Sequence, residues 1–445
     1  MEKKHYFLVG IGGISMSAIA KFLILQGNIV SGSDIVINDE IKKLQKMGAN
    51  IIIGQNKNNI TSKVDALIYT SAANQPNSPG LKEIQKARKL GIKTYKRSEF
   101  IGELMKEKIG VSIAGMHGKT TTTAIIGDVF KKMGGKQVVF LGGEHMGFSH
   151  GNLDYPSGGY KKAEYIISEA CEYDRSFLDF KTDIAIITNI EAEHLDYFKG
   201  GLKEILDVFK NFVKKIPAKG VLIYNADDKN IQKIISDVKC KKIPYSKNDL
   251  KIRSLNLNIP GEFNQMNALA VLKLIEYLGL DINKYLKYLK DFKGVDRRFE
   301  ILGKVKNTQF IDDYAHHPTE IKNTLAVLNE FYGGKKLVIF QPHQYSRTKL
   351  LFDDFVQALK LAKNLLIIEV YEVLGREEDK SVGSKELVNE IKKINPKTRY
   401  LPNYKEAVIF LENNFKKYDI ILTMGAGPVN EVVKEFIFKK GKVWK

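Results

Sequence analysis

Residues Gly115 to Thr123 read GMHGKTTTT and combine the groups that hold a nucleotide phosphate. Glycines let backbone amides come close, and a helix starting there offers N–H groups that lack partners within the helix. Lys119 carries a charge for the β- and γ-phosphates, Thr120 offers a hydroxyl to Mg²⁺, and Met116, His117, Gly118 and Thr121 complete the loop. The run departs from GxxxxGK[ST], because Ile113 stands where the first glycine belongs. Its place after the apolar VSIA and before a helical run is the context a phosphate loop needs; a plain strand-to-helix turn is the bland alternative. In this reading the charge of Lys119 serves the phosphate and not a core.

Glu169 ends the apolar run YIISE, where a carboxylate can hold the Mg²⁺ that bridges nucleotide phosphates. A glutamate at a strand end is more commonly a solvated terminus. EAEHLD follows IAIITN and brings His194 with its acids to another strand end, favouring metal or substrate contact there. GIGGIS, from Gly10 to Ser15, follows the first apolar run, with Asp34 near the end of the second. Glycine amides in that arrangement cradle a pyrophosphate, which serves NAD and a UDP group equally well. Further on, DDYAHHPTEI and QPHQYSRT set Asp313, Tyr314, His316, His343 and Arg347 in turns between strand and helix, and RRFE supplies a phosphate clamp or a solvated linker.

These groups need elements to position them. Apolar runs of four to six residues alternate with amphipathic segments from HYFLVG onward, the pattern of doubly wound parallel sheets, whose ligands bind beyond the strand C-termini. Three such α/β units follow in series, the second from Lys108 and the third from Phe299, in keeping with about 150 residues per domain for a chain of 445. The glycine-rich stretch from Leu141 to Gly159 is the one long loop, expected to act as a lid or binding loop. Hydrophobic residues at 44% and charged residues at 27% exclude disordered and collagenous classes. No apolar run is long enough to span a membrane, and two cysteines without a CxxC pair exclude a disulfide framework or a zinc ribbon, so the cytoplasm is expected. The formal charge of +19 is spread along the chain without an arginine-rich block, which fits an anionic nucleotide substrate better than a nucleic acid.

Together GIGG, SGSD, GMHGKTTTT, SEACEYDRSFL, TNIEAEHLDYF, PGEFNQMNALA, GVDRRFE, DDYAHHPTEI, QPHQYSRT and GAG resemble the Mur ligase family over nearly the whole chain. DDYAHHP and GIGG point to its alanine-adding branch and to a relative that attaches a recycled peptide to the same sugar. The resemblance implies an α/β fold in three domains. They are an N-terminal Rossmann-like UDP-binding domain over 1–107, a central P-loop ATPase domain with a mainly parallel sheet over 108–298, and a C-terminal Rossmann-like, amino-acid-binding domain over 299–445. It also implies roles. Gly115 to Thr121 would hold ATP, with Thr120, Glu169 and His194 on Mg²⁺ or Mn²⁺. Asn264 and Asn267 would approach the adenine and Asp313 the ribose, with Arg298 and His316 near the transferred phosphate. Gly10, Gly12, Gly13, Asp34, Ser71 and Arg97 would bind the UDP-sugar; Tyr314, His316, His343 and Arg347 would receive the amino acid. Four positions depart from the pattern: Phe263 replaces a His beside the adenine, Gln344 an Arg, Ser15 a Gly and Glu193 an Asp.

The implied activity is an ATP-dependent amide ligase of peptidoglycan precursor synthesis. ATP phosphorylates the lactyl carboxylate of UDP-N-acetylmuramate, and the amine of L-alanine attacks the acyl phosphate. The partners are these small molecules, with no nucleic acid and no membrane insertion. The alternative within the family adds a recycled murein peptide instead. A nicotinamide dehydrogenase rests on GIGG alone and leaves GKTTTT unexplained, and a nucleic-acid-stimulated NTPase lacks a recognised binding motif.

Overall fold

The computed structural model describes residues 3–195, 197–372 and 379–440; Asp196 of the EAEHLD turn and the basic tail from 441 lie outside the described residues. Its strands form three sheets. The first contains β1 (His5–Val9), β2 (Ile29–Asp34), β3 (Asn50–Ile53), β4 (Ala66–Tyr69) and β5 (Lys93–Lys96), all parallel in the order β3-β2-β1-β4-β5. The second contains β6 (Ile109–Ala114), β7 (Gln137–Phe140), β8 (Leu153–Asp154), β9 (Tyr165–Glu169), β10 (Ile184–Ile187), β11 (Val221–Asn225) and β12 (Lys241–Tyr245). Its order is β12-β11-β10-β6-β9-β7-β8, and only the β7–β8 pair is antiparallel. The third contains β13 (Glu300–Val305), β14 (Thr308–Asp313), β15 (Lys336–Phe340), β16 (Leu365–Ile368), β17 (Thr398–Leu401) and β18 (Ile420–Met424) in the order β13-β14-β18-β15-β16-β17. There β13 and β14 form an antiparallel pair and the rest is parallel.

The chain is therefore α/β with mainly parallel sheets, as its alternating pattern predicts. Central strands such as IAII of β10 and LLII of β16 are wholly buried and read as unbroken apolar runs, because helices cover both faces of a parallel sheet. The first two sheets belong to one compact unit and the third to another, which holds the described residues from Asp296 to Lys440 with the short pieces 194–195 and 259–263. In the second unit Leu325, Phe340 and Phe355 lie in one apolar layer, while Phe310, Leu411 and Phe436 lie in another.

The stretch from Leu141 to Gly159 is not the lid expected from its glycines. It contains β8, and Leu141, His145, Phe148, Asn152 and Leu153 are buried. Lys21 explains the difference. Although it lies on the helix Ile14–Leu25 beside the first sheet, its ammonium is buried and donates to Glu40 Oε2 at 2.7 Å, Asn152 Oδ1 at 2.6 Å and the His150 carbonyl at 3.0 Å. Next to it Phe22 meets Phe140, Tyr155 and Tyr160 edge-on, with ring centroids 5.3 to 6.0 Å apart. The stretch braces the first sheet's helix against the second sheet, since a buried ammonium must find acceptors and these residues supply them.

Candidate functional site

Strand register puts the chemistry of the second sheet on one edge. Ile113 pairs with Glu169 and Ala114 with Ile187, so Gly115, Glu169 and the Thr188–Asn189 pair leave three adjacent strands at the same level. Asn189 accepts from the His117 N–H through Oδ1 and donates to the His117 carbonyl through Nδ2, both at 2.9 Å. Thr188 Oγ1 donates to the same carbonyl at 2.6 Å. Gly115 and Gly118 have φ of 128° and 85°, and a Cβ would come within 2.1 Å of Thr188 Oγ1 and 2.6 Å of Asn267 Oδ1 respectively. Only glycine fits those two positions.

Lys119 opens the helix Lys119–Lys132. Its ammonium donates to the Met116 carbonyl at 3.1 Å, to the Gly115 carbonyl, and to Glu172 Oε2 at 3.0 Å. Burial works against the charged amine, yet the carboxylates of Glu172 and Glu193 outweigh it and hold the pKa above the ordinary lysine value. The expectation that this charge serves the phosphate alone is corrected: Lys119 also neutralises Glu172, which is only 1% exposed. Thr120 Oγ1 donates to Glu169 Oε2 at 2.8 Å, and the Gly142 N–H donates to Glu169 Oε1. His117 Nε2 lies 3.1 Å from Glu191. Asn264 and Asn267 are buried on the helix Glu262–Tyr277, Asn267 directly facing Gly118. His194 has φ of 53° and falls in the second compact unit, whereas Thr120 and Glu169 belong to the first.

At the first sheet Val9 pairs with both Ser33 and Tyr69, which brings Gly10, Asp34 and Thr70 to one edge. The Gly12 N–H donates to Asp34 Oδ2 and the Ile35 N–H to Asp34 Oδ1, both at 2.8 Å. Asp34 therefore shapes the glycine loop through its carboxylate, while Gly13 caps the helix on which Ser15 sits in the first turn. Ser71 starts a short 3₁₀ turn and Arg97 starts the helix Arg97–Lys106, both half-buried.

The second unit gathers its groups at the ends of β14, β18 and β15, where Asp313 and Phe340 both pair with Met424. Tyr314 lies beneath two guanidinium groups, those of Arg297 and Arg298, each 5.0 Å from its ring centre. Arg297 is a structural clamp that sequence reasoning left open: it donates to Asp312 at 3.0 Å and to the Gly425 and Gly427 carbonyls at 2.7 and 2.9 Å. Arg298 lies 3.6 Å from Glu320. His316 Nδ1 is 3.0 Å from the Tyr314 carbonyl and 3.2 Å from Glu320, two acceptors that place its proton on Nδ1. Its ring centre is 6.1 Å from that of His343, which stacks on Tyr371 and whose Nδ1 is 3.3 Å from Arg347. Asp313 accepts from the Phe299 and Ala315 N–H groups at 2.9 and 2.7 Å, and burial pushes its pKa up to about 7. Gln344 is buried with φ of 71°, and Phe263 packs on the unit's apolar core beside Val327.

Family models match the chain in three places: the Mur ligase family catalytic domain over residues 5–109, the Mur ligase middle domain over 113–254, and the Mur ligase glutamate ligase domain over 297–427. A UDP-N-acetylmuramate–L-alanine ligase of Clostridium kluyveri is 38% identical, with 97% of each chain covered. One from Caldicellulosiruptor saccharolyticus is also 38% identical, covering 98% of this chain and 99% of its own. The chain belongs to the Mur ligase family. Among solved structures, the UDP-N-acetylmuramate–alanine ligase of Thermotoga maritima superposes with a TM-score of 0.81 at 28% identity, covering 99% of this chain and all of that one. A murein peptide ligase of Psychrobacter arcticus shares the fold, with a TM-score of 0.70 at 21% identity over 99% of both chains.

Within this Mur ligase the residues that single motifs do not assign are Glu172, Thr188 and Asn189. Each lies inside a quoted motif, yet its partner is 53 to 72 residues away in sequence. The donor set around the loop also suits a divalent cation. Thr120 hydroxyl and Glu169 carboxylate are hard oxygen ligands in contact with each other, and the Lys119 charge beside them is already balanced by Glu172.

Proposed function

We propose that this chain is an ATP-dependent ligase that joins L-alanine to the lactyl carboxylate of UDP-N-acetylmuramate, in cytoplasmic peptidoglycan precursor synthesis. The observation that carries the reading is a phosphate loop in which Thr120 bonds to Glu169 and Lys119 pairs with Glu172, in a chain that aligns end to end with alanine-adding relatives. The first domain, 1–107, takes the UDP group on the Gly10–Gly13 loop. The second, 108–298, takes ATP, and the third, 299–445, takes the amino acid. Among the described residues no helix is long and apolar enough to cross a membrane, which suits an enzyme of soluble substrates.

Lys119 and the loop amides bind and orient the β- and γ-phosphates, and Asn267 lines the loop from behind. Thr120 and Glu169 would hold Mg²⁺ or Mn²⁺, and the family resemblance adds His194 as a metal ligand. A bound ion would supply charge stabilisation to the phosphoryl group as it passes to the lactyl carboxylate oxygen. Arg298 serves the same charge, and His316 can do so only as the imidazolium, whose Nε2–H donates while Nδ1–H stays on the Tyr314 carbonyl and Glu320. The alanine amine then attacks the acyl carbon and inorganic phosphate leaves. Arg347, beside His343, holds the alanine carboxylate by its planar fork. The test is product mass after incubation with ATP, Mg²⁺, UDP-N-acetylmuramate and L-alanine. A product heavier by one alanyl residue, with ADP released, is expected. Product with the recycled murein tripeptide and none with free alanine would move the reading to the peptide-adding branch.

A further inference from the structure

Gly142, Gly143, Glu144 and His145 touch three parts of the first compact unit within four residues. The Gly142 N–H donates to Glu169. A Cβ on Gly143 would come within 3.1 Å of Val295 Cγ1 and 3.2 Å of Thr120 Cγ2. Glu144 pairs with Lys43, which also holds Glu40 beside buried Lys21. His145 is 2% exposed and its Nδ1 lies 2.6 Å from the Gly294 carbonyl; a carbonyl only accepts, so Nδ1 donates. The imidazole stacks on Phe292 with ring centres 5.1 Å apart, meets Phe148 edge-on, and turns Nε2 to Asp128 Oδ1 at 3.4 Å. Nδ1 and the ring are thus engaged, while Nε2 is buried without a hydrogen bond among the described residues.

The residue that His145 grips gives the arrangement its meaning. Gly294 and Val295 are the last residues of the first compact unit before the chain enters the second at Asp296, and Arg298 follows three residues after Val295. One end of the strip thus touches Glu169 and Thr120, and the other fixes the segment that leads to Arg298. We infer that His145 is a positioning residue for ligation, holding the Gly294–Val295 linker in register with the Thr120–Glu169 pair. A buried histidine needs an acceptor for its Nδ1–H in any role; what sets this one apart is that the acceptor is Gly294, two residues before the second unit begins, and that Gly142 on the same strip bonds to Glu169. The inference rests on the ligase reading, from which the role of Arg298 is taken.

His145→Phe keeps the stacked ring and loses the donor; His145→Asn loses the stacking and sets an amide N–H close to the place of Nδ1. For His145→Phe, kcat should fall by about ten-fold or more with KM for ATP within about three-fold, because the phosphate loop is intact and a misplaced reacting group is costly. His145→Asn should keep kcat within about three-fold of wild type even where its thermal midpoint drops, since the bond to Gly294 is what matters. A His145→Phe enzyme with wild-type kcat, or two variants equal in kcat and differing only in thermal midpoint, overturns the inference. Should His145→Phe not fold, Gly143→Ala reports from the other side: its methyl presses on Val295 and Thr120, and kcat should fall by about three-fold or more. An unchanged kcat there also overturns it. A wild-type chain that makes no ligation product refutes the ligase reading instead, so the two failures are distinct.

Discussion

Lys119→Ala removes two things at once, and their sizes differ. As a phosphate ligand its charge is one aimed electrostatic group, whose loss typically costs about 10²–10³ in rate. As the partner of Glu172 at 3.0 Å it also neutralises a carboxylate that is almost wholly buried. Removing one member of a buried pair costs about 3–5 kcal/mol. Protonation of the abandoned carboxyl limits that penalty to about 3.7 kcal/mol, the cost of protonating an ordinary glutamate of pKa about 4.3 at pH 7. At about 2–4 °C per kcal/mol, Lys119→Ala should lower the thermal midpoint of the first compact unit by about 6–15 °C. The sign with pH follows from the variant's raised Glu172 pKa. The folded state then binds a proton more readily than the unfolded chain, so the deficit shrinks as pH falls from 7 towards 5, by up to about 1.4 kcal/mol per unit. Lys119→Ala with Glu172→Gln should regain most of the stability and none of the turnover. Thermal scans of wild type, both single variants and the double variant at pH 7.5 and 5.5, beside ligation rates, make the comparison. A Lys119→Ala protein as stable as wild type at pH 7.5 would refute the reasoning, as would a double variant no more stable than the single.

Glu169→Gln should raise the Mg²⁺ concentration for half-maximal rate by about ten-fold, since a neutral amide is a poor ligand for a hard cation; an unchanged Mg²⁺ titration reduces Glu169 to an anchor for Thr120 and Gly142. Arg347→Lys keeps the charge but loses the fork, so KM for L-alanine should rise by about ten-fold with KM for ATP unchanged. A shift in thermal midpoint alone would assign Arg347 to packing on His343. Asp313, buried with its pKa at about 7, favours the folded state when protonated. The stability of the second compact unit should therefore rise by about 2 kcal/mol from pH 8 to pH 5.5, a slope that Asp313→Asn removes and that a flat wild-type profile contradicts.

Local motifs were legible where the chemistry is contained in a few consecutive residues. GMHGKTTTT specifies its own tight turn and helix start because these residues are covalent neighbours, and the alternation of apolar runs with amphipathic ones specifies parallel sheets through burial on both faces. What stayed hidden depends on register. Asn189 grips His117 across 72 residues only because Ala114 and Ile187 are paired strand ends. Tyr371 stacks on His343 because β15 and β16 are neighbours, which no spacing between QPHQYSRT and the next strand announces. The stretch from Leu141 to Gly159 reads as a loop by its glycines, yet Leu141, Phe148 and Leu153 are the apolar residues that a packed brace needs and a lid does not.

Charge around the phosphate loop shows why position matters more than residue type. By motif alone, Lys119 makes the loop a cationic pocket for a nucleotide. In place, Glu172 holds that cation at 3.0 Å, Glu193 adds to its field, and Glu169 stands on Thr120. A nucleotide phosphate brought to this edge without a metal meets carboxylates whose charge exceeds that of the one lysine, and the repulsion is strong because Glu172 is screened from water. On the proposed reading, a divalent cation held by Thr120 and Glu169 would reverse the balance and leave Lys119 to the terminal phosphates. On that reading the glutamates would favour a metal–nucleotide complex over the bare nucleotide, which is why Glu169→Gln is expected to show itself in the Mg²⁺ requirement first.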